Sequence, residues 1–503
     1  MKNSVLCYLE ETAVKFPDKL AISDGELSVT FSEWRQRALC LADAITAKLS
    51  GRHLPVLVYL PKGTNTLISF AGILYSGNYY TPTDVKFPFQ KVEGVLKCLK
   101  PALIISDRKS AEKLLKNGIL EDMILYLEDI DFRQNNKDSS MYLNRIIDTD
   151  LAYVFFTSGS TGVPKGVAIT QRSIIDYIDW AAEEFSIDEN VKIANQAPFY
   201  FDNSILDIYL CMSCGATLYI PPEMYYAFQA KLLAYLEEKK ITFIFWVPSA
   251  LVGSANSGLL ERFDLSAIKK VLFCGEVMPN RHLNIWRRVL PEAEFANLYG
   301  PTEITCNCTY FPIERQYEDS EKIPAGKAFP GRRVILVDEE GKQVTEPGVQ
   351  GEICSAGESL ANGYYKEPEQ TAEKFVLYPV DGTEQRMYRT GDLGSYDEEG
   401  NIVFAGRKDF QIKHMGHRIE LEEIERSMTA LDGVEKSCCV FDMEKNRIMG
   451  FYLGEKAASD VRKQMKEQLP VYMVPTKLIQ VDEMPLNKNG KTDRNYFKNY
   501  GKK

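Results

Sequence analysis

Thr157-Ser158-Gly159-Ser160-Thr161-Gly162-Val163-Pro164-Lys165-Gly166 lies between two apolar runs, Leu151 to Phe156 and Val167 to Thr170, that read as strands. The ten residues hold three glycines, four hydroxyl side chains and one lysine. Glycine lets backbone N–H groups turn toward an anion, hydroxyls add donors and the lysine brings full positive charge, a set suited to wrapping a polyphosphate. The spacing is not G-x-x-x-x-G-K-[ST] at the head of a helix. Taken alone, the stretch also reads as a flexible Ser/Gly turn.

Outward from that loop, 503 residues exceed what one core can hold, so two or more domains are expected. At 45% hydrophobic and 26% charged the composition is that of an ordinary soluble globular protein. A formal charge of −10 argues against a general nucleic-acid binder, which needs a cationic face. The eleven cysteines are scattered, with Cys211/Cys214, Cys306/Cys308 and Cys438-Cys439 the close pairs, and there are four histidines. No ligand quartet at zinc spacing emerges, so reduced thiols are the expectation. The N-terminus leads into Glu10 and Glu11 rather than an apolar segment, and no run of about 18 apolar residues occurs. A cytoplasmic protein without membrane insertion is expected.

Ser32 is read as the N-cap of a helix carrying Trp34, Ala38, Leu41 and Ile45, and Ser173 as the cap of a helix through Ile178 and Trp180 to Phe185. Strands at Leu54 to Leu60 and Ala102 to Ser106, with a helix from Asn65 to Ser76 between them, make the first 150 residues read as a doubly wound α/β layer. Gln134 to Ser140 reads as a surface insertion. Strands at Ile241 to Val247 and Lys270 to Phe273 continue the pattern. After Asp409 the chain grows richer in charge. A helix from Glu420 to Leu431, strands at Lys436 to Phe441 and Ile448 to Leu453, and a helix from Ser459 to Leu469 read as a small α+β lid.

Several residues carry two readings each. Asp202, in the apolar stretch Asn195 to Ser204, either caps the next helix or grips an ammonium, because an unpartnered buried carboxylate costs several kcal/mol. Tyr299-Gly300-Pro301-Thr302-Glu303 either stacks a base and holds a metal on a phosphate or simply reverses the chain. Asp392 and Arg407 could form a surface ion pair, and Cys274 a small core residue.

The joint occurrence, in order, of Thr157 to Gly166, Asn297 to Glu303, Gly351-Glu352-Ile353 with Gly363-Tyr364-Tyr365, Tyr388 to Asp392, Gly406 to Asp409 with Gln411-Ile412-Lys413, Gly416 to Glu425, Leu469 to Pro475 and Asn489-Gly490-Lys491 resembles the superfamily of acyl- and aminoacyl-adenylate-forming enzymes. Within it the chain is most similar to adenylation domains of nonribosomal peptide synthesis and to D-alanine:carrier-protein ligases. The resemblance covers almost the whole chain. It implies an α/β fold with a large multi-subdomain N-terminal domain of doubly wound sheets, 1–408, which binds ATP and the amino acid. A small mobile C-terminal lid, 409–503, turns about a hinge at Asp409.

It further implies site roles. Thr157, Ser158, Gly159, Ser160, Thr161, Gly162 and Lys165 embrace the ATP phosphates, with Asn297, Tyr299, Gly300 and Thr302 around the adenine. Asp392 accepts the ribose hydroxyls beside Arg407, and Glu303 holds Mg²⁺. Lys491 is the catalytic residue, bridging the substrate carboxylate and the α-phosphate; a carboxylate is already ionised at neutral pH, so no general base is needed. His414 and His417 are accordingly expected at the surface. Asp202, Asn203, Leu206, Phe245, Leu272, Cys274, Leu298 and Cys306 line the amino-acid pocket. D-alanine is the first expectation; serine or another small amino acid, or a flatter side chain against Phe245 and Trp246, stays open, as does the less favoured acyl- or aryl-CoA ligase. Few residues follow Lys491, so a separate phosphopantetheinylated carrier protein is the expected partner, docking on a basic strip that includes Lys413, Arg418 and Arg426.

Overall fold

Thr30 and Glu33 complete a capping box at the head of the helix Phe31–Lys48: the Thr30 hydroxyl accepts from Glu33 N and the Glu33 carboxylate accepts from Thr30 N. The cap expected at Ser32 is therefore two residues earlier, where a glutamate stands three positions on. Likewise Thr170, not Ser173, caps Gln171–Glu184, its hydroxyl accepting from Ser173 N. In both cases the expected serine lies inside the first turn.

The computed structural model describes residues 2–133, 138–159, 163–380, 382–443, 445–486 and 492–500. The expected insertion at Gln134 to Ser140 therefore lies largely outside the described residues. The chain divides into two compact units, one comprising 1–85, 101–155 and 166–408, the other 86–100, 156–165 and 409–503.

The first unit is built on three sheets. A seven-stranded sheet runs in the order 363–364, 165–170, 151–157, 79–82, 55–59, 103–106, 124–126. A nine-stranded sheet runs in the order 327–328, 309–312, 294–299, 270–274, 243–246, 192–194, 217–219, 20–23, 28–30, parallel through its middle and antiparallel at both ends. The first 150 residues are thus not one layer. Leu20–Ser23 pairs in parallel with Thr217–Tyr219, Ile22 opposite Leu218, and so joins the second sheet.

The third sheet is antiparallel and unanticipated: 343–344, 332–337, 350–357, 383–396 and 375–380, with 402–407 along the edge of the long strand Thr383–Tyr396. A continuous core joins the layers, its helices contributing Trp34, Tyr75, Tyr177 and Trp180, the last stacked on Phe329 at 3.6 Å.

The second unit carries a hairpin, Gln411–His414 with His417–Glu420, and a three-stranded sheet of 434–442, 447–454 and 477–480, with helices Leu421–Thr429 and Ala458–Gln468 packed on its own core of Ile424, Met428, Val461 and Met465. His414 and His417 are not surface residues. His414 is buried edge-on to Phe441, and the His417 ring stacks on Tyr472 at 3.3 Å. Burial, with His414 beside it, pushes the His417 pKa down to about 3, so the ring stays neutral at physiological pH.

Gly326 shows how tightly the nine-stranded and antiparallel sheets meet. Its φ is +88°, its carbonyl accepts from Ile402 N at 2.8 Å, and a Cβ built there would lie 1.9 Å from the Tyr310 carbonyl oxygen. Gly326→Ala is expected to cost about 3 kcal/mol or more of unfolding free energy in a denaturant titration. Gly341→Ala, at φ +82° with nothing within 4 Å, should cost only about 1 kcal/mol.

Candidate active site

The strand Glu294–Tyr299 ends on Tyr299, whose phenol donates to Asp392 Oδ2 at 2.6 Å in a buried contact. Asp392 stands on Thr383–Tyr396 directly opposite Arg407 on Ile402–Arg407, and the Arg407 guanidinium donates to Asp392 Oδ1. The Asp392 side chain is 3% exposed and that of Arg407 11%. The surface ion-pair reading therefore fails: this is a buried carboxylate with one donor on each oxygen. Burial, with the Asp392 charge beside it, pushes the Tyr299 phenol well up and keeps it a donor.

The turn that carries Asp392 is fixed by Glu352. Its carboxylate accepts from Arg389 Nη2 at 2.6 Å, Gly391 N at 3.0 Å and Lys408 Nζ at 3.3 Å. Burial opposes ionisation, yet these donors outweigh it and hold the Glu352 carboxyl below the usual carboxylate range. The Gly351-Glu352-Ile353 signature contained this residue without disclosing what it anchors.

Gly300 follows Tyr299, and a Cβ there would lie 2.5 Å from Asn307 Cα and from the Cys306 carbonyl oxygen, so only glycine fits the turn. Asn297 donates to the Pro324 carbonyl, and Thr302 opens a short 3₁₀ turn with Glu303 and Ile304. Glu303 is fully buried and accepts from the Tyr364 phenol at 2.9 Å.

The expected amino-acid pocket is drawn together by register. Phe245 lies opposite Leu272, and Cys274 opposite Leu298. Leu206, Phe245, Leu272, Cys274, Leu298 and Cys306 share one core cluster, whereas Trp246 packs in a different cluster and donates to the Ala194 carbonyl. Trp246 is not part of the pocket wall, because neighbouring strand residues point to opposite faces.

Cys306 donates its thiol to Asn203 Oδ1 at 3.4 Å and to Asn307 Oδ1 at 3.2 Å. Asn307 in turn donates to Cys274 Sγ at 2.9 Å and accepts from the Tyr177 phenol at 2.6 Å. Asn307 and Tyr177 were missed in the sequence. Only the neighbourhood of Cys306 pointed to Asn307, and nothing singled out Tyr177.

Asp202 holds the N-cap position of Asn203–Cys214 but makes no side-chain capping bond, which removes its bland reading. Burial first, then the Asp202 carboxylate, pushes both the Cys306 thiol and the Tyr153 phenol well up, which places that carboxylate on the pocket side. The buried Tyr153 hydroxyl has no hydrogen-bond partner among the described residues.

In the second unit Thr157 Oγ1 donates to the Lys165 carbonyl at 3.4 Å, Ser158 Oγ to the Arg418 carbonyl at 3.0 Å, and Arg426 to the Gly159 carbonyl at 3.3 Å. Ser160, Thr161, Gly162 and Lys491 lie outside the described residues. Of the expected docking residues Arg426 is exposed, while Lys413 and Arg418 are half-buried. The Asp409 carboxylate accepts from Gln411 N at 3.2 Å. Among the described residues there is no cluster of three or more metal-ligating side chains, and no helix is long and apolar enough to cross a membrane. All eleven cysteines are free thiols.

The family model for "AMP-binding enzyme" matches residues 9–365, and that for "AMP-binding enzyme C-terminal domain" matches 423–491. The chain is 32% identical over 499 residues to D-alanine--D-alanyl carrier protein ligase of Bacillus anthracis, covering 97% of each. It is 31% identical over 498 residues to part of the mycosubtilin synthase of Bacillus subtilis, spanning 96% of this chain but only 19% of that one. The fold matches that of holo-PA1221, an NRPS protein containing adenylation and PCP domains, with a TM-score of 0.85 at 24% identity over 99% of this chain and 84% of that one.

Glu352→Gln is expected to cost about 2 kcal/mol of stability at pH 7, since it weakens acceptance from Arg389, Gly391 and Lys408. The sign with pH follows from the depressed carboxyl: its contribution is present above the unfolded value near 4.5 and is lost as pH falls through the folded value. The gap between wild type and variant in urea unfolding should therefore shrink below pH 4.5.

Proposed function

The chain belongs to the AMP-binding enzymes and is an AMP-forming ligase, and on that premise we propose that it activates a small amino acid, D-alanine first, and passes it to the phosphopantetheine thiol of a separate carrier protein. In the first half-reaction a carboxylate oxygen of the amino acid attacks the α-phosphorus of ATP. The bond to the bridging oxygen breaks, and pyrophosphate leaves with that electron pair. In the second, the carrier thiolate attacks the acyl carbon, the C–S bond forms, and AMP leaves.

The observation that carries the reading is the pocket headed by Asp202. Its carboxylate has no capping duty, it bears on Tyr153 and Cys306, and it stands one residue before Asn203, which receives the Cys306 thiol. A carboxylate there suits an α-ammonium, and the small thiol and amide side chains behind it suit a short substrate side chain. The near full-length likeness to D-alanine--D-alanyl carrier protein ligase supports the substrate and the carrier. The amide of Asn203 favours one second reading, serine, whose hydroxyl would find a polar partner there.

In this reading Asp392 receives the ribose hydroxyls, Tyr299 and Gly300 border the base, and the loop 157–166 with Lys165 binds phosphate. Glu303 fits Mg²⁺ as a hard oxygen donor oriented by the Tyr364 phenol, since one carboxylate together with substrate phosphates satisfies this ion. Mg²⁺ bound there would neutralise phosphate charge. Lys491 stabilises charge at the α-phosphate, and the lid turns about Asp409 between the two half-reactions.

The test is pyrophosphate exchange into ATP across the proteinogenic amino acids and their D-forms. D-alanine is expected to give the fastest exchange, and Lys491→Ala to slow it by about a hundredfold or more. Exchange led by another amino acid would change the substrate, and exchange that needs no amino acid would sink the reading.

A further inference from the structure

Five residues beyond Asp202, on the same helix, Asp207 is fully buried. Its Oδ2 accepts from Asn195 Nδ2 at 2.8 Å, and among the described residues no ion pair reaches it. Two oxygens of this pair, Asn195 Oδ1 and Asp207 Oδ1, are buried and have no hydrogen-bond partner. An ionised Asp207 would leave both acceptors without a donor, whereas a proton on the carboxyl supplies the one the pair lacks.

The pair brackets the segment that ends in the proposed ammonium-binding carboxylate. Asn195 follows the strand Lys192–Ala194, and its carbonyl accepts from Lys62 Nζ at 3.4 Å and from the Tyr226 phenol at 3.1 Å. Lys62 also donates to the Gln196 carbonyl at 3.0 Å and lies 5.5 Å from the centre of the Phe199 ring. The segment 195–202 is thus tied at its base to Asp207 and along its length to Lys62.

We propose that Asp207 is a protonated, neutral positioning residue: an acid–amide pair with Asn195 that fixes the 195–202 segment and leaves Asp202 as the anionic carboxylate toward the substrate ammonium. The inference rests on the amino-acid-activating reading above. Burial pushes the Asp207 carboxyl up to about 8, with Asn195 and Lys62 opposing in part. The titratable groups that share its field are Lys62, Tyr226, Cys211 and Cys306, and burial raises the last three, so Lys62 is the charge among them. A second carboxylate so close to Asp202 would attract the ammonium away from its partner; a neutral acid does not.

An amide reproduces a protonated acid, as acceptor on one atom and donor on the other. Asp207→Asn should therefore keep the amino-acid KM within about twofold, while Asp207→Leu raises it about tenfold with the ATP KM unchanged in both. Protonation is read separately from stability. The folded wild type holds about one proton more than its unfolded chain between 3.8 and about 8, so its urea-unfolding free energy should fall relative to Asp207→Asn as pH rises across that window.

If Asp207→Asn loses amino-acid affinity as severely as Asp207→Leu, or the stability difference does not change with pH, the proposal is overturned. If the ATP KM rises in parallel, the residue merely holds the fold. A wild type whose exchange needs no amino acid would defeat the activation reading instead, and the stability slope would still decide the protonation state.

Discussion

A carboxylate taken out of water must be fully partnered, and Asp392 meets that demand with a phenol on one oxygen and a guanidinium on the other. The two donors come from different sheets. Tyr299 ends a strand of the nine-stranded sheet, and Arg407 ends a strand of the antiparallel sheet. The contact therefore sets where the two layers meet as well as where the carboxylate points. Glu352 adds a second buried carboxylate beneath it, holding the Arg389 to Gly391 turn and Lys408, the last residue before Asp409. Gly326 and Gly300 mark how little room the junction leaves, since a methyl group at either would overlap backbone.

The amino-acid side is built on the opposite principle. It is weakly polar, closed by thiols, amides and phenols that hydrogen-bond one another around Asn307. Such a lining offers little area for a large side chain and concentrates the net charge in Asp202. If Asp207 carries a proton, the contrast is complete: one ionised carboxylate for the ammonium, one neutral acid for the architecture.

Strands were legible wherever an apolar run was short and bounded by turn residues, as at 151–157, 243–246 and 270–274. Helix starts were read inside the first turn at Ser32 and Ser173, because several hydroxyl residues cluster there and the true cap is decided by which one a later N–H reaches. The antiparallel sheet from 332 to 407 went unread: its strands bury both faces unevenly and the longest bends through Gly391 and Gly394. Register explains why the pocket was recoverable, since Phe245, Leu272, Cys274 and Leu298 lie across from one another on adjacent strands. Burial at single positions was not recoverable, hence the misreading of His417, whose stacking partner Tyr472 stands far along the chain in a different motif.

The role given to Asp392 is tested most directly by calorimetric binding of ATP and of 2′,3′-dideoxy-ATP to the wild type and to Asp392→Ala. If the carboxylate accepts the ribose hydroxyls, the dideoxy nucleotide binds the wild type at least about tenfold more weakly, and the variant binds both alike. Equal binding of the two nucleotides by the wild type would contradict it, leaving Asp392 as a purely structural link between the sheets.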